Sequence, residues 1–354
     1  MKKFAVFSGF LGSGKTTTMM ALTKYHTENY GKAAMISNDL GGQGLADNRL
    51  AQLGGYNASE LTGTCICYQT ENLVDRLNQL FDRDGCQLVI SDIPGFGVGA
   101  LEHVYHTLQE KYTDQYELAP FTVLAEPHTV ELLKNDQAGD LEYIFHTQLV
   151  EADLIVLNKC DLLNDQEKEA YLDYLKKYNP NAQVIGISAL TGQGLDELSH
   201  ALTDGCASMQ RPDIGYGGPA FANAMSKMSE YNTQYYATVC CNDFDGNAYL
   251  MELAKTIQAE VRESGNEIPH LKLLAWEQEG AYGKVDLLGT GRKIEITKEF
   301  DHPCTELAVV LNTSAACPSK QLDEIISGAV EKISEQYQLS VVTYKKECFG
   351  VMGD

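Results

Sequence analysis

The segment Gly9-Phe10-Leu11-Gly12-Ser13-Gly14-Lys15-Thr16 constrains this chain more than any other. An apolar run, residues 3–8, leads into it, and an amphipathic run, residues 15–26, leads out. Strand, glycine loop and helix in that order form the context in which Gly-x4-Gly-Lys-Thr is a phosphate-binding loop. The glycines let the backbone wrap an anion with its N–H groups pointing inward, and the new helix presents its positive end. Gly12, Ser13, Gly14, Lys15, Thr16 and Thr17 are the expected nucleotide contacts. Lys15 is expected to contact the β- and γ-phosphates, and the Thr16 hydroxyl to bind Mg²⁺.

The surrounding pattern agrees. Up to about residue 205, strand-like runs (3–8, 33–37, 88–92, 121–125, 154–158, 183–187) alternate with helix-like ones (15–26, 72–82, 99–112, 141–150, 165–178, 195–203). Such alternation predicts a P-loop α/β domain with a mainly parallel sheet over 1–205. Residues 206–234, rich in Gly and Pro around Pro212 and Pro219, read as a linker with a short amphipathic piece. Residues 235–354 read as a smaller α+β domain. There, 236–241, 248–263 and 270–276 read strand, helix, strand, as do 306–311, 319–337 and 340–344. Two such halves, with one or two further strands in 284–297, suggest a ferredoxin-like duplication.

Leu88-Val89-Ile90-Ser91-Asp92-Ile93-Pro94-Gly95 ends an apolar run on Asp92, the expected second Mg²⁺ contact. Gly95 would let its N–H approach the γ-phosphate, as in nucleotide-sensing switches. Leu154-Ile155-Val156-Leu157-Asn158-Lys159-Cys160-Asp161 places Asn-Lys-x-Asp after a buried strand. The Asp161 carboxylate can accept from the N1–H and exocyclic amine of guanine, a donor pair that adenine lacks. Asn158 is expected on the carbonyl or N7 side of the base, Lys159 on its ring, and Ser188 and Ala189 in the loop beside it. Asp39, after the second strand, can orient water or join the Mg²⁺ shell. Lys15, Asp39 and Asp92 are thus the catalytic candidates.

These residues resemble the CobW-like branch of the metal-handling GTPases, relatives of the urease- and hydrogenase-maturation GTPases. The resemblance covers about 3–203. It rests on the phosphate loop, on Ser37-Asn38-Asp39-Leu40-Gly41, and on Glu60-Leu61-Thr62-Gly63-Thr64-Cys65-Ile66-Cys67-Tyr68. It also rests on Gln148-Leu149-Val150-Glu151-Ala152-Asp153 before Asn158, and on Ser188-Ala189-Leu190-Thr191-Gly192-Gln193-Gly194-Leu195. It implies a GTPase whose hydrolysis is coupled to metal delivery or to maturation of a cofactor-dependent client protein. The family's cysteine motif is incomplete: Tyr68 stands at its third position, Thr64 is inserted after the glycine, and no histidine-rich stretch is present.

Cys65 and Cys67 are close enough to share one soft ion such as Zn²⁺, with Glu60 or Asp39, or a second copy of the chain in a homodimer, completing the set. His103 and His106 stand three apart on a predicted helix and read as a solvated face. Cys240 and Cys241 alternate across a strand, and with Cys304 they read as core packing. Arg49 and Arg76 have no assigned role.

A net charge of −22 argues against nucleic acid or anionic lipid as partners. No apolar run is long enough to span a bilayer, and the ten cysteines fit a reducing cytoplasm. Two other readings share the scaffold. One is a GTP-dependent chaperone or reactivation factor for a corrinoid or metal enzyme that carries no metal itself. The other is an ATP-dependent kinase or synthetase.

Overall fold

The computed structural model describes residues 2–40, 51, 54–112, 114–210, 212–239, 242–278 and 280–352, without the side chains of Asp39 and Asp140. Gly41, Arg49, Cys240 and Cys241 lie outside the described residues. The described residues form two compact units, one within 2–40 and 54–224, the other made of 51 and those within 225–352.

The first unit holds β1 (Lys3–Ser8), β2 (Ala33–Asp39), β3 (Ala58–Thr62), β4 (Leu88–Asp92), β5 (Glu117–Leu118), β6 (Thr122–Ala125), β7 (Leu154–Leu157) and β8 (Gln183–Gly186). They line up as β3-β2-β4-β1-β6-β7-β8, with β5 also beside β1, and every pairing is parallel. All residues of β1, β4, β6 and β7 are buried, as expected for strands covered by helices on both faces. Helices Lys15–Asn29, Thr70–Asn78, Glu142–Glu151, Asp165–Tyr178 and Leu195–Asp204 provide crossovers. Asn164 and Glu167 form a reciprocal capping box at the start of Asp165–Tyr178. Because the strands are parallel, the loops that follow β1, β2, β4 and β7 all emerge at one edge. Ligands of open α/β sheets bind at that edge, where the strand order reverses.

Strands β3 and β5 and the helix Pro127–Lys134 escape the sequence pattern. Strand β3 is only partly buried and carries Ser59, Glu60 and Thr62, so it lacks an apolar run. Helix Pro127–Lys134 is short and opens on a proline, which punctuates a sequence even where it suits the first helical turn.

The second unit contains β9 (Ser229–Val239), β10 (Glu267–Trp276), β11 (Tyr282–Leu287), β12 (Glu295–Lys298), β13 (Glu306–Ala316) and β14 (Leu339–Gly350), with helices Gly246–Glu263 and Ser319–Gln336. The antiparallel sheet runs β12-β11-β10-β13-β9-β14. Without the β11–β12 hairpin at its edge, the order β10-β13-β9-β14 interleaves two strand–helix–strand halves, the ferredoxin-like arrangement. Tyr231, Tyr235 and Ala237 of β9 pack with Leu250, Leu253 and Ile257 of one helix and Leu322, Ile326 and Ile333 of the other.

The expected linker is shorter than composition suggests. Ala207 N–H bonds Leu118 O at 3.0 Å and Ser208 N–H bonds Asp153 at 3.2 Å, so this stretch runs along the first sheet. At its far end β9 begins at Ser229, before residue 235. The polar residues Glu230, Asn232 and Gln234 hide the strand from a reading of apolar runs, although every residue from 231 to 235 is buried.

Candidate functional site

The phosphate loop follows β1 and is shaped by three left-handed glycines: Gly9 (φ 129°), Gly12 (φ 83°) and Gly14 (φ 91°). A Cβ on Gly9 would lie 2.2 Å from Leu124 O of β6, and one on Gly14 would lie 2.3 Å from Asn158 Nδ2. Neither position accepts a side chain, for reasons of both conformation and space. Lys15 is buried and donates from Nζ to Gly9 O at 2.7 Å, which holds its ammonium across the loop. The Ser13 hydroxyl is buried and, among the described residues, has no hydrogen-bond partner, an acceptor and donor inside the cradle.

Asp92 is placed by pairing: Phe7 of β1 is in register with Asp92 of β4, so the carboxylate stands beside the start of the phosphate loop. It is 7% exposed and accepts the Asn38 N–H at 2.8 Å from the neighbouring β2. The loop after it approaches closely, since a Cβ on Gly95 would lie 2.9 Å from Leu11 N. Helix Glu142–Glu151 grips that loop. Gln148 Nε2 donates to Gly95 O and Gly97 O, both at 3.0 Å, and Glu151 Oε2 accepts the Gly99 N–H at 2.9 Å. Burial pushes the Glu151 carboxyl up to about 7. Thr16 hydroxyl and Asp92 carboxylate are hard oxygen donors, the type that suits Mg²⁺.

On the base side, Asn158 is 2% exposed. Its Nδ2 donates to Ser13 O at 2.9 Å, and its Oδ1 accepts the Ala189 N–H at 3.1 Å. The carboxamide thus ties the phosphate loop to the 188–192 loop, a brace where the sequence suggested a base contact. Asp161 is exposed, and Ser188 Oγ donates to it at 2.5 Å. Lys159 holds a left-handed backbone (φ 62°) without being glycine, and its Nζ lies 3.4 Å from buried Glu126 Oε2. Strained backbone of this kind clusters at sites where geometry is over-determined.

The cysteine segment is tied to the same edge. Asn38 Nδ2 donates to Leu61 O and Thr64 O, and Asn38 Oδ1 accepts the Ile66 N–H at 2.9 Å. Cys65 and Cys67 Sγ lie 2.6 Å apart. Hydrogen bonding from Cys67 lowers the Cys65 thiol, and the same contact, with burial, raises Cys67. Tyr68 OH bonds Tyr216 OH at 2.5 Å, and the His103 ring lies 4.8 Å from that of Tyr216. Among the described residues no group of three or more His, Cys, Asp or Glu could hold a metal ion, so Glu60 does not complete a set with Cys65 and Cys67. His106 is buried rather than solvated, with Nε2 3.3 Å from Gln210 O. Asp39 ends β2, but its side chain is outside the described residues. Arg76 lies 3.2 Å from Gln79 Oε1 on its own helical stretch.

The sequence profile of the CobW/HypB/UreG nucleotide-binding domain matches residues 3–186, more than half of the chain. This chain belongs to the CobW/HypB/UreG family. Hydrogenase maturation factor HypB of Azotobacter vinelandii is 37% identical over 76 residues, 21% of this chain and 25% of that protein. GTPase Obg of Rickettsia massiliae (strain Mtu5) is 30% identical over 138 residues, 37% of this chain and 39% of that protein. The chain therefore spans only 25–39% of the length of these curated relatives. Among solved structures, nickel-bound HypB from Helicobacter pylori has a TM-score of 0.41 at 17% identity, covering 56% of this chain and 84% of its own. Zinc-bound YjiA GTPase from E. coli has a TM-score of 0.37 at 14% identity, covering 92% of this chain and 98% of its own.

Asn38, Gln148 and Glu151 act on this CobW/HypB/UreG site without having been singled out by their chemistry. All three stood inside segments that carried the family resemblance, and that position was their only signal.

Proposed function

We propose that this chain binds GTP with Mg²⁺ and hydrolyses it, coupling turnover to metal delivery or to maturation of a client metalloprotein in the cytoplasm. The observation that carries the reading is the Asn158 brace. It joins the phosphate loop to the Ser188–Ala189 loop beside Asp161, so the phosphate end and the base end of one nucleotide are fixed together. Lys15 and the inward N–H groups of the loop neutralise phosphate charge, and Thr16 and Asp92 would hold Mg²⁺. The ion, when bound, neutralises charge that builds on the phosphate oxygens. Gly95 presents backbone at the γ end, and Asp39 orients the attacking water. Asp161 accepts from guanine, with Ser188 fixing its carboxylate and Lys159 covering the ring.

Asn38 donates its N–H to Asp92 and holds the cysteine segment through its side chain, which supports a link between nucleotide and the Cys65–Cys67 thiols. A soft ion would be the cargo there, with a partner chain, client or second copy, supplying what two thiols lack. The lack of a third ligand among the described residues favours a second reading, in which the chain remodels a client without carrying metal.

Phosphate release with GTP and with ATP, in wild type and Lys15→Ala, tests hydrolysis and base choice. Equal turnover of ATP and GTP points instead to a kinase or synthetase. Metal titration of wild type against Cys65→Ser/Cys67→Ser, with and without a non-hydrolysable GTP analogue, tests cargo. Unchanged stoichiometry leaves only the chaperone reading.

A further inference from the structure

The two sulfurs beside the nucleotide site stand far closer than two ligands waiting for an ion need to be. Ile66, between them, is fully buried, and its N–H is fixed by Asn38 Oδ1 at 2.9 Å. With the middle residue anchored inward, Cys65 and Cys67 turn outward together on the short helical turn Ile66–Tyr68. Their Sγ atoms are 2.6 Å apart, and both residues are partly exposed. The Cys67 N–H also points at Cys65 Sγ, at 3.4 Å, which favours negative charge on that sulfur. No third metal-binding side chain joins them among the described residues. An accessible nucleophilic sulfur with a resolving thiol beside it is the arrangement of a redox-sensing pair.

We propose that Cys65 and Cys67 form a reversible dithiol–disulfide couple, oxidised by small-molecule disulfides of the glutathione type. The Cys65 thiolate attacks one sulfur of the oxidant, forming a mixed disulfide and releasing one thiol of the oxidant, which takes up a proton. The Cys67 thiol gives up its proton and its sulfur attacks Cys65 Sγ. The internal S–S bond forms, the mixed S–S bond breaks and the second thiol leaves. Two protein thiols are oxidised by two electrons, and one small disulfide is reduced to two thiols. The reduced pair offers two thiolates and the oxidised pair none, so the couple also switches off uptake of a soft ion. That consequence rests on the cargo reading; the couple itself rests on the sulfur geometry alone.

The test exposes the full-length chain to excess oxidised glutathione, alkylates the remaining thiols and maps the peptides by mass. The expected result is an internal Cys65–Cys67 disulfide, lighter than the dithiol by two hydrogens and restored by dithiothreitol. Cys67→Ser should trap glutathione on Cys65 about tenfold more than Cys65→Ser traps it on Cys67. Exposed Cys206 reports in the same digest that the oxidant was active. Glutathione on Cys206 without an internal disulfide at 65–67 overturns the proposal, as does equal trapping by the two variants. Zn²⁺ titration of the oxidised and reduced chain is read separately. Equal binding in both defeats the cargo reading and leaves the couple standing.

Discussion

Asn158→Ala separates a brace from a base contact. The wild-type carboxamide is 2% exposed and spends Nδ2 on Ser13 O at 2.9 Å and Oδ1 on Ala189 N–H at 3.1 Å. Truncation leaves a buried carbonyl and a buried N–H without partners. Each unsatisfied group costs about 1–3 kcal/mol, so the loss should be about 2–6 kcal/mol, with no nucleotide present. For a unit of this size that corresponds to a Tm lower by roughly 4–24 °C. The assay is thermal unfolding of nucleotide-free chain, followed by affinity for GTP, ITP and inorganic pyrophosphate. A brace predicts lower Tm and weaker binding of all three, because the phosphate loop itself is loosened. An unchanged Tm with a loss shared by GTP and ITP, whose bases both carry the carbonyl and N7, but absent for pyrophosphate would refute the reasoning and return Asn158 to the base.

Gly95→Ala would drive a Cβ to 2.9 Å from Leu11 N, so the switch loop must retreat from the phosphate loop; GTP turnover should fall roughly tenfold to a hundredfold, read as phosphate release at saturating GTP. Glu151 supplies a pH dependence. Its folded carboxyl, raised by burial from 4.5 to about 7, favours the neutral form. Its contribution is therefore complete below about 4.5 and is lost as pH rises through about 7, with a ceiling of about 3 kcal/mol. Glu151→Gln should flatten that part of the Tm–pH curve between 4.5 and 7, whereas parallel curves for variant and wild type would rule the attribution out. Glu230, raised by burial to about 8 in the second unit, tilts both curves alike and cancels in the comparison.

The sheet was legible because its strands are continuous apolar runs, and β1, β4, β6 and β7 need no other signal. β3 was not, because an edge strand with one covered face need not be apolar. Within the candidate site, Lys15, Thr16, Asp92, Asn158 and Asp161 could be proposed from sequence because they stand at fixed spacings around glycines and strand ends. Gln148 and Glu151 could not, because their work depends on a helix crossing a loop some fifty residues earlier in the chain. The brace role of Asn158 was hidden for the same reason, since Ser13 and Ala189 meet it only in the folded unit. His106 misled because polarity suggested solvent, whereas Gln210 O accompanies it in the buried site.

The most direct test of the central claim is nucleotide selectivity of Asp161→Asn. In the proposed base site the carboxylate would accept two donors from guanine; an amide can accept one and must present a donor to the other. Affinity for GTP should fall about a hundredfold, and affinity for XTP, whose base carries a carbonyl in place of the exocyclic amine, should rise. An Asp161→Asn chain that keeps wild-type affinity for GTP and its preference over ATP would contradict the account.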